Sequence, residues 1–279
     1  MVSVSWHAVA MTDKTRFDPE IDRVGQMLAD AARSVILPFF RDPNLGADNK
    51  LAAGYDPVTE ADRAAERAMR DILQTERPDD AILGEEYGTK PGTSGLTWVL
   101  DPIDGTRGFV SGAPTWGVLI ALGDAQGPFY GIVDQPYIGE RFIGHPEGAT
   151  LTGPQGSGPI KTRAPRALAE ATVFTTFPEV DTPQDAVAFN AVASKARLTR
   201  YGMDCYAYAL IAAGQIDLVI EARLAPYDIQ APIALIHAAG GIVTNWEGGP
   251  AHDGGRAIAA ANPEIHAEAI ALLQGAMQS

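Results

Sequence analysis

Four acidic positions fall in two tight groups, Glu85 with Glu86 and Asp101 with Asp104 inside the run LDPIDGTRGF. Each group closes a short apolar stretch, Ala81-Ile82-Leu83 and Trp98-Val99-Leu100, that reads as a strand. Carboxylates crowded at strand ends raise one another's pKa values, and a hard cation removes that repulsion. Oxygen donors are what magnesium takes. The histidines (His7, His145, His237, His252 and His266) form no ligand-spaced set, so nothing points to zinc. Within Asp-Pro-Ile-Asp-Gly-Thr, Pro102 stiffens the turn, which lets Asp101 and Asp104 face one ion with the Ile103 carbonyl between them. Gly105 permits close backbone approach and Thr106 adds a hydroxyl. A helix beginning at Gly105 would aim its free N–H groups at an anion. Metal, anion site and hydroxyl from six consecutive residues suit phosphate-ester hydrolysis. The plainer alternative is that Asp101 and Asp104 only form an Asx turn and cap a helix.

Such a site needs a frame, and 279 residues are enough for a sizeable core. With 46% hydrophobic and 20% charged residues, usage is that of an ordinary globular protein. The 29 glycines and 20 prolines are scattered, which indicates turns, not a low-complexity tract. A formal net charge of -14 repels nucleic-acid phosphates, so a nucleic-acid partner is excluded. A small phosphorylated substrate is also an anion, and a bound divalent cation would reverse the field locally. The lone Cys205 can form neither an internal disulfide nor a cysteine-rich metal site, which fits a reducing, cytoplasmic location. No stretch has the length of a membrane span, and the N-terminal residues lack the pattern of a signal peptide. Met1 and Met11 both stand as start positions.

Periodicity predicts a helix over 18–40, with Pro38 near its end, and a second after Thr59, with Asp62 completing a shortened capping box. Strands are expected at Val118 to Leu122, Gly131 to Asp134 and Glu140 to Gly144. The Gly-, Pro-, Ser- and Thr-rich stretch from Thr150 to Pro165 reads as a boundary. It divides an N-terminal α+β part (1–150) carrying the main metal and phosphate motifs from a C-terminal α/β part (151–279) carrying Asp228 and the substrate-selecting residues. In the second part, strands at Thr172 to Thr176, Leu218 to Glu221 and Ile242 to Thr244 alternate with helices at Gln184 to Ala196, Tyr206 to Ala213, about Asp228 to Ala239, and after Pro263.

Four segments resemble the inositol monophosphatase superfamily, and in its order: DPVTEAD (Asp56 to Asp62), GEE (Gly84 to Glu86), WVLDPIDGTRGF (Trp98 to Phe109) and APYDIQAPIALIHAAGGIVTNWEG (Ala225 to Gly248). The resemblance implies an α/β (α+β layered) fold, the α-β-α-β-α sandwich of the inositol monophosphatase and fructose-1,6-bisphosphatase type. It implies two or three Mg2+ ions held by Glu85, Asp101, the Ile103 carbonyl, Asp104 and Asp228. It also implies that Asp56 and Thr106 position and deprotonate the attacking water, with Glu85 helping through the metal, while the Gly105 and Thr106 amides hold the phosphate. A homodimer is expected on the same ground.

Within that superfamily the chain looks most like the histidinol-phosphate phosphatase branch. The segments that carry this are Gly105 to Leu122, Val133 to Gly144, Tyr201 to Ala222 and Pro226 to Ala231. The branch usually shows Ala where Gly108 stands and Asp where Asn245 stands. Inositol phosphatases place a small residue at the position of Asp204. An aspartate there, with Glu221 near it, would suit a substrate with an ammonium group; the alternative is that Asp204 caps the helix that follows. Inositol monophosphate, fructose 1,6-bisphosphate and 3'-phosphoadenosine 5'-phosphate remain as other substrates, and a non-catalytic binding protein as another class. Arg107 reads as a phosphate contact or a surface residue, and Lys50 as near the metals or solvated. Trp98, Trp116, Trp246 and Cys205 read as packing residues, and Gly240-Gly241 as a turn.

Overall fold

The computed structural model describes residues 17–49 and 57–278. Helix α1 (Pro19–Ile36) opens at Asp18, whose carboxylate accepts the Glu20 N–H, and buries Ile21, Val24, Leu28, Ala32 and Ile36 along one face. It tightens into a 3-10 turn over Leu37–Phe39, where Pro38 cannot continue the ladder. Strands β1 (Ala47–Asn49) and β2 (Pro57–Thr59) form a small antiparallel ribbon. Helix α2 (Glu60–Glu76) starts with the expected capping box, in which the Thr59 N–H donates to Asp62 Oδ2 at 2.8 Å and the Thr59 hydroxyl accepts from Ala61.

The main sheet follows. It contains β3 (Ala81–Gly84), β4 (Gly88–Lys90), β5 (Thr97–Asp104) and, after the short helix α3 (Thr106–Val110), β6 (Gly117–Asp124), β7 (Gly127–Gln135), β8 (Glu140–His145), β9 (Gly148–Gly153) and β10 (Gly156–Ile160). Their spatial order is β10-β9-β8-β7-β6-β5-β3-β4. Among the described strands of this sheet β3 and β5 pair in parallel and the other pairings are antiparallel. The stretch expected to be an unpatterned boundary is therefore the β9–β10 hairpin, and the sheet runs past position 150 to Ile160. An edge hairpin that is mostly solvent-exposed needs no apolar alternation, so it left no signal.

The second sheet is built from β11 (Thr172–Thr175), β12 (Leu198–Tyr201), β13 (Leu218–Leu224), β14 (Ile242–Thr244) and β15 (Gly255–Ala260), in the order β12-β11-β13-β15-β14. Its helices are α4 (Pro183–Ala193), α5 (Asp204–Ala212), α6 (Pro226–Ala238) and α7 (Pro263–Met277). Three cores order the layers. One joins α1 and α2 to the main sheet, through residues such as Leu28, Met69, Leu100 and Ile120. The next places α5 and α6 between the two sheets, through Leu119, Val133, Ile211, Leu235 and Val219. The last joins the second sheet to α4 and α7, through Phe189, Ile220, Ile258 and Leu273. The architecture is an α-β-α-β-α sandwich. Helix α6 seats closely on the main sheet because two of its strands offer glycine there. A Cβ on Gly144 would meet Leu235 Cα at 2.4 Å, and one on Gly131 would meet the Ala231 carbonyl at 2.5 Å.

Candidate metal and phosphate site

The acids in the Asp-Pro-Ile-Asp run converge through a local irregularity of β5. Its register against β6 slips between Asp101 and Asp104, where two residues, Pro102 and Ile103, face the single Val118. Pro102 cannot donate to the ladder, and a one-residue bulge satisfies the pairing around it. Residues three apart on a regular strand point to opposite faces; the extra residue restores them to one side. Asp228, in the first turn of α6, completes the group. One carboxylate oxygen from each of Asp101, Asp104 and Asp228 lies within 4.8 Å of the other two.

Each of the three is also pinned by a backbone donor. Asp101 Oδ1 accepts from the Ile103 N–H at 3.0 Å, so the Asx turn and the acid cluster coexist. Asp104 Oδ2 accepts from the Cys205 N–H at 2.6 Å, and Asp228 Oδ2 from the Ala225 N–H at 2.7 Å. Burial pushes the Asp101 carboxyl well above the usual carboxylate range, and the charges of Glu85, Asp104 and Asp228 push it further. Asp104 is raised in the same way, by burial and then by Asp228 and Asp204. Glu85 follows the last residue of β3, with its N–H on the Leu100 carbonyl at 3.1 Å and its carboxyl beside Asp101. This all-oxygen, strongly repelling donor set fits a hard divalent cation.

Gly105 sets up the neighbouring turn. Its φ is +82°, and a Cβ there would collide with the Asp204 side chain at 2.7 Å. Thr106 begins α3, and its hydroxyl lies 3.0 Å from the Ile103 carbonyl and 3.5 Å from Asp62 Oδ1. Asp62 is fully buried, and burial raises its carboxyl to about 6 against the two lowering hydrogen bonds from Thr59. Its nearness to Thr106 was not expected. The capping pattern shows that Asp62 turns back on the start of α2, but not that this start abuts α3. Asp56 and Lys50 lie outside the described residues.

Across a cavity of about 530 Å³, Asp204 and Glu221 share the lining with Glu85, the three aspartates and Thr106. Asp204 is the first residue of α5 and does not cap it; Met203 holds the cap position. Its Oδ2 accepts instead from the Thr115 hydroxyl at 2.8 Å. Glu221, on β13, accepts from the Thr176 N–H at 3.0 Å, from the Thr176 hydroxyl and from the Tyr208 hydroxyl at 2.7 Å. Burial raises both acids above the usual range. Arg107 is exposed at the cavity mouth, its guanidinium 4.9 Å from the Phe177 ring centre. Cys205 is buried, burial pushes its thiol up, and both its thiol and its backbone N–H serve Asp104 as hydrogen-bond donors. The three tryptophans expected to pack are all buried.

A model of the inositol monophosphatase family matches residues 19–278. The chain belongs to the inositol monophosphatase family. Among its relatives is the bifunctional phosphatase IMPL2, chloroplastic, of Arabidopsis thaliana, 42% identical over 236 residues, which are 83% of this chain and 66% of that one. The histidinol-phosphatase of Chlorobaculum parvum is 31% identical over 88% of this chain and 93% of its own length. The inositol-1-monophosphatase of Rhizobium meliloti is 32% identical over 80% and 84%. Among solved structures, an inositol monophosphatase from Zymomonas mobilis superposes with a TM-score of 0.82 at 40% identity, covering 93% of this chain and 100% of that one. The chain is thus a phosphatase of this family, a phosphoric monoester hydrolase, and its layered fold is the family's. Among the described residues no helix is long and apolar enough to cross a membrane.

Proposed function

We propose that the chain is a Mg2+-dependent phosphomonoesterase that hydrolyses L-histidinol phosphate to L-histidinol and phosphate. Relatives named for histidinol phosphate and for inositol phosphate are equally similar, so similarity does not choose between them. The observation that carries the choice is the pair Asp204 and Glu221 on the wall of the cavity that also holds the acid cluster. Two carboxylates facing a substrate suit an ammonium group, which histidinol phosphate has and inositol phosphate lacks. With the substrate come a role in histidine biosynthesis, a cytoplasmic location consistent with one buried thiol, and the homodimer expected from the family.

Glu85, Asp101, Asp104, Asp228 and the Ile103 carbonyl would hold the cations. A bound divalent cation supplies positive charge to the phosphate oxygens and lowers the pKa of adjacent water. The Gly105 and Thr106 amides orient the phosphate for in-line attack. The Thr106 hydroxyl takes the proton of the attacking water as its own proton passes to Asp62. A carboxyl at about 6 is ionised at neutral pH yet basic enough to receive it. The geometry supports Asp62 in the role expected of Asp56.

Phosphate release from L-histidinol phosphate and inositol 1-phosphate, each with magnesium and with EDTA, tests this reading. Preference for histidinol phosphate, abolished by EDTA, is the expected result. Preference for inositol phosphate would overturn the substrate, and EDTA-resistant turnover would overturn the metal.

A further inference from the structure

Asp204 is held in a demanding place. It is a non-glycine residue at φ +46°, in the left-handed region that side-chain-bearing residues rarely adopt. The surroundings here are close on two sides. A Cβ on Gly105 would stand 2.7 Å from Asp204 Cγ, and one on Gly108 would stand 3.2 Å from Asp204 Oδ2. The third side is polar: Thr115, on the loop between α3 and β6, donates its hydroxyl to Oδ2 at 2.8 Å. Thr115 is not among the cavity-lining residues, whereas Asp204 is.

We propose that Thr115 is a positioning residue for substrate selection, fixing Asp204 so that its second oxygen faces the substrate's ammonium group. With Oδ2 engaged by Thr115, the carboxylate cannot swing without breaking that bond, and Oδ1 is the oxygen left for the cavity. The tightness of substrate choice is therefore set behind the cavity wall. This inference rests on the reading of Asp204 given above, and the experiment separates the two.

Steady-state kinetics on L-histidinol phosphate and on glycerol 2-phosphate, which has no amine, are measured for the wild type, Thr115→Val, Thr115→Ser and Asp204→Asn. Thr115→Val removes the donor at nearly constant shape and is expected to lower kcat/KM for histidinol phosphate about tenfold relative to glycerol 2-phosphate, through KM and not kcat. Thr115→Ser is expected to restore most of the preference. Equal loss on both substrates, as a merely structural role gives, overturns the proposal, and so does an unchanged preference. If Thr115→Val does not fold, Thr115→Ala carries the same comparison. A wild type without preference for the amine-bearing substrate sinks the Asp204 reading and this proposal together. Preference that is lost in Asp204→Asn but kept in Thr115→Val sinks only the role of Thr115.

Discussion

Asp62 Oδ1 faces the Thr106 hydroxyl across 3.5 Å while Asp62 Oδ2 accepts the Thr59 N–H at 2.8 Å and its hydroxyl at 2.6 Å. One buried carboxylate thus ties the start of α2 to the start of α3. Asp62→Asn keeps an acceptor for the cap but no longer takes a proton. Its kcat is expected to fall by about two orders of magnitude or more on every phosphomonoester, with stability reduced by only about 1 kcal/mol. Single-turnover kinetics beside a urea titration check this, and loss of folding without loss of kcat would refute it.

The same group sets a pH dependence. The base is useful only when ionised, so kcat/KM is expected to fall as pH drops through about 6. For stability the sign is opposite. A carboxyl raised above its unfolded value favours the fold when protonated, so that contribution is lost as pH rises through about 6. A pH–rate profile without an acid limb in this region would remove Asp62 from the proton path.

Three carboxylates within 4.8 Å oppose the fold until a cation neutralises them. In EDTA, Asp228→Asn is expected to melt no lower than the wild type. With Mg2+ at about 100 times its dissociation constant, the wild type should gain roughly 2.7 kcal/mol and the variant much less. Thermal melts with and without Mg2+ decide it; an equal gain in both would place the ion elsewhere.

Gly144 lets α6 approach the sheet, and a Cβ there would meet Leu235 Cα at 2.4 Å. Gly144→Ala is expected to cost about 1–3 kcal/mol and, by pushing α6 outward, to weaken Mg2+ binding although no ligand is changed. Urea unfolding and a Mg2+ titration of activity measure both effects, and an undisturbed Mg2+ response would show that the helix seat does not govern Asp228.

His266 is buried against the Thr244 hydroxyl at 2.8 Å, and burial lowers its pKa to about 4. A histidine neutral in the fold but protonated when unfolded lends stability at neutral pH that is lost as pH falls from about 6.5 toward 4. Between pH 7 and 5 the wild type should lose about 2 kcal/mol more than His266→Gln in urea unfolding, and parallel losses would contradict the assignment.

Much of this molecule is legible in its residues. The helices at α1 and α2, the cap at Thr59 and the meander from β6 to β8 follow from apolar spacing and capping residues, because each is decided within a few turns of chain. The convergence of Asp101 and Asp104 is also local, since Pro102 writes the bulge into the sequence. What stayed hidden depends on distance or on exposure. The β9–β10 hairpin is too exposed to carry a pattern, and β12 and β15 are too short or too rich in small residues. Asp62 beside Thr106, and Thr115 beside Asp204, are meetings of segments 44 and 89 positions apart that no periodicity reports.

The third carboxylate of the cluster rides on α6, which belongs in chain order to the second half yet seats on the sheet of the first. On the ribosome, Asp101 and Asp104 emerge long before Asp228 is synthesised. The nascent first half therefore carries the signature run without the means to trap an ion between three acids. The group of three acids is complete only after α6 has found its glycine-lined seat, so the closing of the layered fold and the completion of the site are one event.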